Sequence, residues 1–146
     1  MNASQLFQIV NPIAMIGWVM LVFFPNYKHT KNITVILLSS LFFAGIYITS
    51  LLLSIGKTEG NFSSLEGVRS LFSNDLALLA GWIHYLAFDL FVGTWIVENA
   101  KINRISRFFI IPCLFLTFMF GPTGLLCYTM LKFILKKPIL STVNFE

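Results

Sequence analysis

The chain has 146 residues, a net charge of +4, 57% apolar residues and only 11% charged ones. Its mean hydropathy is +0.82. A soluble domain is about 45–50% apolar and about 25% charged, so this composition excludes an ordinary water-soluble fold and points to a polytopic membrane protein. The positive balance makes no case for nucleic acid, because the basic residues sit in loops and helix flanks, where lipid headgroups are their partners.

A spanning helix needs about 20 apolar residues. Four segments meet that length, roughly 6–25, 33–55, 76–97 and 108–135. They predict an all-α fold: four transmembrane helices in a small bundle, forming a single domain over 1–146. The first segment has no basic stretch before it and no clear small-residue cleavage site, so it reads as a span rather than a signal peptide. Pro12 lies a few residues into it and predicts either a kink or a later helix start, and Pro25 reads as a stop. Beyond Gln8 near its start, Asn11 is its one internal amide, placed to hydrogen-bond across the bundle or to reach a pocket. The second segment has no Asp, Glu, Lys, Arg or His and reads as packing and lipid contact.

Residues 56–75 form the one long connection. Its apolar patches, Phe62 to Leu65 and Val68 to Phe72, predict an interfacial segment that either lids a cavity or serves as an ordinary amphipathic connector. Ser73-Asn74-Asp75 offers helix N-caps.

The third segment carries His84 and Asp89 near its middle. An acid at bilayer depth costs about 2.5–3.5 kcal/mol on insertion scales, so Asp89 needs a proton step, a ligand or a partner to explain it. His84 and Asp89 are five residues apart and differ in direction by about 140°. Both reach protein only if other helices surround this one. Trp82, Tyr85, Asp89 and Gly93 share one face, and His84, Phe88, Phe91 and Trp95 another. Glu98 and Asn99 end the segment, and pairing with Lys101 or solvation is their default.

The fourth segment is broken at Gly121-Pro122-Thr123-Gly124. Pro122 cannot donate a hydrogen bond and its ring opens the helix. Carbonyls freed within a membrane must be met by protein, water or ligand. Pro122 and Asp89 lie at similar depth in adjacent antiparallel spans. The expected pocket is therefore lined by Asp89, His84, Tyr85, Trp82, Pro122 and Thr123. Cys113 and Cys127 are fourteen residues apart, about 21 Å along a continuous helix, too far for a disulfide. They read as free core thiols. No metal-ligand cluster is expected, because the directions of His84, Asp89 and Glu98 diverge, and His29 reads as a surface residue. No cofactor motif is present.

Residues 81–93, Gly-Trp-Ile-His-Tyr-Leu-Ala-Phe-Asp-Leu-Phe-Val-Gly, resemble the signature of the neoxanthin-synthase-like, abscisic-acid-deficient-type family of membrane proteins. Residues 116–126, Leu-Thr-Phe-Met-Phe-Gly-Pro-Thr-Gly-Leu-Leu, and 65–72, Leu-Glu-Gly-Val-Arg-Ser-Leu-Phe, are similar to two further blocks of that family. The resemblance implies action on a carotenoid, xanthophyll or other isoprenoid lipid. For plant members the implied reaction opens a 5,6-epoxide and creates an allene with loss of a proton, which needs an acid at the oxygen and a base at the carbon. It makes Asp89 and His84 the catalytic candidates, with neither role assigned. Trp82, Tyr85, Phe88 and Trp95 would hold a polyene by their apolar faces. The alternative is a non-catalytic binder, transporter or assembly factor for a lipid-like ligand or partner membrane protein. A third possibility leaves the polar residues satisfying one another.

The chain lacks the N-terminal extension of a plastid-targeted member, which points to a bacterial inner membrane. Four spans put Lys28, Lys31, Lys101, Arg104 and Arg107 on one side and Lys57, Arg69, Lys132, Lys136 and Lys137 on the other. Weighting the loops over the tail places both termini outside. Expected partners are a lipid-like small molecule, membrane lipids and, for so small a bundle, a second copy of the chain, although no GxxxG motif marks an interface.

Overall fold

The computed structural model describes residues 2–57 and 60–138, apart from the side chain of Leu37. Every regular element among them is helical. Helix α1, Ala3–Phe23, begins at a capping box in which Asn2 and Gln5 each accept from the other's backbone N–H at 2.9 and 3.0 Å. It starts earlier than the apolar pattern suggests, and Pro12 lies inside it.

Helix α2, Thr30–Ser54, runs in α-helical form to Asn32, in π-helical form over Ile33–Phe43 and in α-helical form over Ala44–Ser54. Ser39 Oγ donates to the carbonyl of Thr34, five residues back, at 2.9 Å. The Thr34 and Thr94 hydroxyls meet at 2.9 Å across the interface with the third span.

Helix α3, Leu65–Leu71, is the short apolar patch of the long connection. Ser64 caps it by accepting from Gly67 N at 3.0 Å. Phe72, just after it, rests against Gly81. The connection therefore folds back onto the bundle.

Helix α4, Asp75–Ile102, is the axis of the molecule. Asn74 caps it through Leu76 N and Ala77 N, at 3.0 and 3.2 Å. It runs five residues past the expected end, which draws Glu98 and Asn99 into regular helix. It packs against α1, α2 and both following helices.

The fourth expected span is not a span. Helices α5, Arg107–Phe120, and α6, Pro122–Ile134, pack along each other as the two arms of a hairpin. At about 1.5 Å per residue each arm is about 20 Å long, short of a hydrocarbon core of about 30 Å. Gly121 makes the turn at φ +50°, a conformation that favours glycine. A Cβ at Gly124 would overlap the Thr117 side chain and the Cys113 carbonyl, so the arms touch backbone to backbone. Cys113 Sγ and Cys127 Sγ are consequently 3.5 Å apart, although a continuous helix would hold them about 21 Å apart.

Three helices, α1, α2 and α4, are long and apolar enough to cross a membrane, so the expectation of four spans is corrected to three plus a hairpin that enters and leaves at one end. Met1, residues 58 and 59 (with Glu59) and 139–146 lie outside the described residues.

The described residues do not bring the two ends of the chain to one side of the bundle, as the four-span reading expects. The start of α1 lies beside the start of α4, where Asn2, Ala3, Asn74 and Asp75 line a common surface depression. The far end of α6 lies beside the end of α4, where Lys132 Nζ donates to Asn99 Oδ1 at 2.6 Å. The two described chain ends thus occupy opposite ends of the bundle.

Candidate functional site

Three neighbours surround α4, so its polar residues face three different environments. Toward the hairpin, Asp89 is only 8% exposed. Its Oδ1 would lie 3.1 Å from a Cβ at Gly121, so the carboxyl group sits directly against the hairpin turn. Asp89 Oδ2 has no hydrogen-bond partner among the described residues. Tyr85, one turn earlier, donates from its hydroxyl to the carbonyl of Phe118 at 3.0 Å, one of the carbonyls at the end of α5. The expected association of Asp89, Tyr85 and the helix break therefore holds in space.

Toward α1, Trp82 Nε1 donates to Asn11 Oδ1 at 2.8 Å, and its ring lies 5.4 Å from that of Tyr85. Asn11 thus bonds across the bundle, the first of its two expected roles. Trp95 sits nearer the other end of α4. It meets Tyr128 edge-on at 5.8 Å, and Lys132 Nζ lies 6.0 Å from its ring centre. Pro122 and Thr123 are exposed on the outer side of the turn.

Toward α2, His84 leaves this company altogether. It stacks on Phe88 at 4.5 Å and lies 5.9 Å from the Tyr47 ring. The expected pocket is therefore divided: Asp89 and His84 face different helices, as the 140° between them requires, and do not converge on one reacting atom.

What the α2 face offers is a pair of cavities. A groove of about 550 Å³ opens between α2 and α4, walled by Phe43, Ile48, Phe88 and Phe91. A second, partly open cavity of about 460 Å³ lies further along, bordered by Phe62, Leu71 and Phe72 of the long connection. The connection thus packs beside a cavity, with Phe62 still 80% exposed. Tyr47 and His84 are the two residues that line both cavities. The groove abuts the stretch of α2 wound as a π-helix, a form frequent at functional sites. Tyr47 escaped notice in the sequence because nothing in a Leu- and Ile-rich segment fixes which face of α4 it meets.

A buried polar cluster at the foot of the hairpin was equally hidden. Asn99 Oδ1 accepts from Lys132 Nζ at 2.6 Å and from the Tyr128 hydroxyl at 2.8 Å. Asn103 Nδ2 joins it at 3.1 Å. Lys132 is 1% exposed. Glu98 pairs with Lys101 at 2.5 Å, as expected, whereas Asn99 is buried rather than solvated. Among the described residues no three His, Cys, Asp or Glu side chains gather as a metal site.

Three helices long and apolar enough to cross a membrane, with an apolar hairpin packed beside them, define the class as a helical integral membrane protein. The family described as ABA DEFICIENT 4-like (ABA4-like) matches residues 5–128, and the chain belongs to that family. No curated protein and no solved structure matches the chain.

Proposed function

We propose that this protein acts on a carotenoid, xanthophyll or other isoprenoid lipid, and that Tyr47 and His84 handle the protons. The observation that carries this reading is that, among the described residues, Tyr47 and His84 alone line both the groove and the cavity beside the long connection. A long apolar molecule enters the groove from the lipid along Phe43, Phe88 and Phe91, and its oxygenated end group passes between the two rings.

An epoxide isomerisation needs one group that takes a proton from carbon and one that gives a proton to oxygen. The imidazole of His84 takes the carbon-bound proton. The new double bond forms as the epoxide C–O bond breaks, and the Tyr47 hydroxyl protonates the departing oxygen. A proton passing from imidazolium to phenolate restores both groups, so nothing is gained or lost. The phenyl rings and the long connection exclude water that would otherwise capture the opening epoxide.

Asp89 takes a different part. Seated against the hairpin turn beside Tyr85, it couples the α4 axis to the turn and is not in line with the ligand. Tyr85, Pro122 and Thr123 belong to that turn, Trp82 and Asn11 tie α4 to α1, Trp95 packs at the far end of α4, and Phe88 serves the ligand.

The binder or transporter reading draws on the same groove, because an apolar passage ending beside the long connection also suits a carrier of lipid. Expression in a carotenoid-producing host separates the two. The wild-type chain should shift the xanthophyll profile on chromatography, and Tyr47→Phe should retain bound lipid while abolishing the shift. A carrier would keep its lipid with no shift in either protein. An unchanged profile and no co-purifying isoprenoid, with the protein folded in the membrane, would count against both.

A further inference from the structure

Folding the last apolar segment back on itself gathers charge. Lys28 and Lys31 follow α1, Lys101 lies in the last turn of α4, Arg104 follows it, Arg107 opens α5, and Lys132, Lys136 and Lys137 close the hairpin. All of them fall at one end of the bundle, leaving Lys57 and Arg69 at the other. A straight fourth span would have divided the ten basic residues evenly.

Among the described residues, the cationic end carries one carboxylate, Glu98, which Lys101 neutralises. At the other end Glu66 and Asp75 offset the two cations, and Arg69 bonds Glu66 at 2.8 Å.

Two of the basic residues are displayed by matching local structure. Arg104 and Lys136 both adopt φ +52°, directly after α4 and α6. In each case the next backbone N–H reaches back to close the helix end, Ile105 to Ala100 and Lys137 to Lys132, both at 2.9 Å. This is the Schellman closure, with a cation where glycine is usual. Both side chains are exposed. Close to these basic residues in the chain, Phe24, Tyr27, Phe108 and Phe133 are also exposed. Exposed aromatics accompanying a cationic end are the pattern of a membrane–water boundary.

We propose that this end is a docking surface for anionic phospholipid headgroups. It sits in the cytoplasmic leaflet, with the hairpin opening and residue 138 on the cytoplasmic side, and Asn2 and α3 on the opposite side. The phosphates of the leaflet lie against Arg104, Lys136, Lys137 and Lys28, and the exposed aromatics enter the acyl boundary. Anionic lipid of the inner leaflet draws such a surface and thereby sets the orientation. The inference stands independently of any chemistry at Tyr47 and His84.

Two measurements test it on the full chain. In nanodiscs of phosphatidylcholine with a minority of phosphatidylglycerol, native mass spectrometry should find phosphatidylglycerol enriched on the protein. High salt should erase the enrichment, and the triple variant Arg104→Gln/Lys136→Gln/Lys137→Gln should lower it by roughly fivefold or more. Enrichment indifferent to both salt and charge would overturn the docking surface; the salt titration on the wild type keeps this decisive even if the variant folds poorly. In a bacterial host, a C-terminal green fluorescent protein should fluoresce and a C-terminal alkaline phosphatase should stay inactive, with the opposite outcome for reporters at the N-terminus. Both termini on one side, or the reverse orientation, would overturn the assignment.

Discussion

Physical cost picks out single residues, but it does not pair them. His84 and Asp89 were legible from sequence because ionisable groups at bilayer depth are expensive. Their helical angle also told that they face apart. Their partners were not legible, because Tyr47, Tyr128 and Lys132 come from segments whose rotation and direction only tertiary packing sets. The chemistry assigned to Tyr47 and His84 makes a definite forecast. Tyr47→Phe and His84→Gln should each lower pigment conversion by roughly 10²-fold or more, with little change in the amount of folded protein. Equal activity in either variant would remove that residue from the mechanism. At the turn, Gly121→Ala forces an L-residue into positive φ with its Cβ 3.1 Å from Asp89 Oδ1. It should cost about 1–2 kcal/mol, read as a lower melting temperature in detergent, and an unchanged melting curve would show that the turn is not under this constraint.

The same limit governs whole elements. The three spans, the Asn74 cap and the amphipathic α3 segment all follow from apolar length and capping chemistry, and each stands close to where the sequence puts it. Gly121-Pro122-Thr123-Gly124 also announced a break. What it could not announce was direction, because a proline that kinks a span and a glycine-proline turn that reverses it leave the same mark. The deciding features are three-dimensional: the Gly124 contact that lets two backbones touch, and the Asn99 cluster that receives Lys132 and Tyr128. That cluster predicts an order of effects. Asn99→Ala removes the acceptor shared by three buried donors, Lys132, Tyr128 and Asn103, and should cost about 1–3 kcal/mol. Lys132→Met removes the buried charge together with its need for a partner, and such replacements are often neutral or stabilising. Thermal unfolding should therefore rank Asn99→Ala well below Lys132→Met, and the reverse ranking would mean that the ammonium group itself holds the hairpin in place.

On the scale of the whole molecule, the hairpin changes the parity of the chain. With four spans the basic residues balance five against five and the orientation is undetermined. With three spans and a returning hairpin they collect at one end, which is the basis of the proposed orientation. The hairpin also explains why Asp89 and His84 separate: it takes Asp89 for its own turn and leaves the α2 face of α4 to the groove, the second cavity and the Tyr47–His84 pair. The arrangement rests on the two arms lying side by side, and Cys113 and Cys127 report on that directly, with their sulfurs 3.5 Å apart. Membranes holding the chain should be treated with copper–phenanthroline and the remaining thiols counted by mass after alkylation. The hairpin predicts rapid loss of both thiols to an intramolecular disulfide, abolished by Cys127→Ser. Two thiols that stay reduced, or that join only between chains, would match a continuous helix with its cysteines about 21 Å apart and would contradict the hairpin.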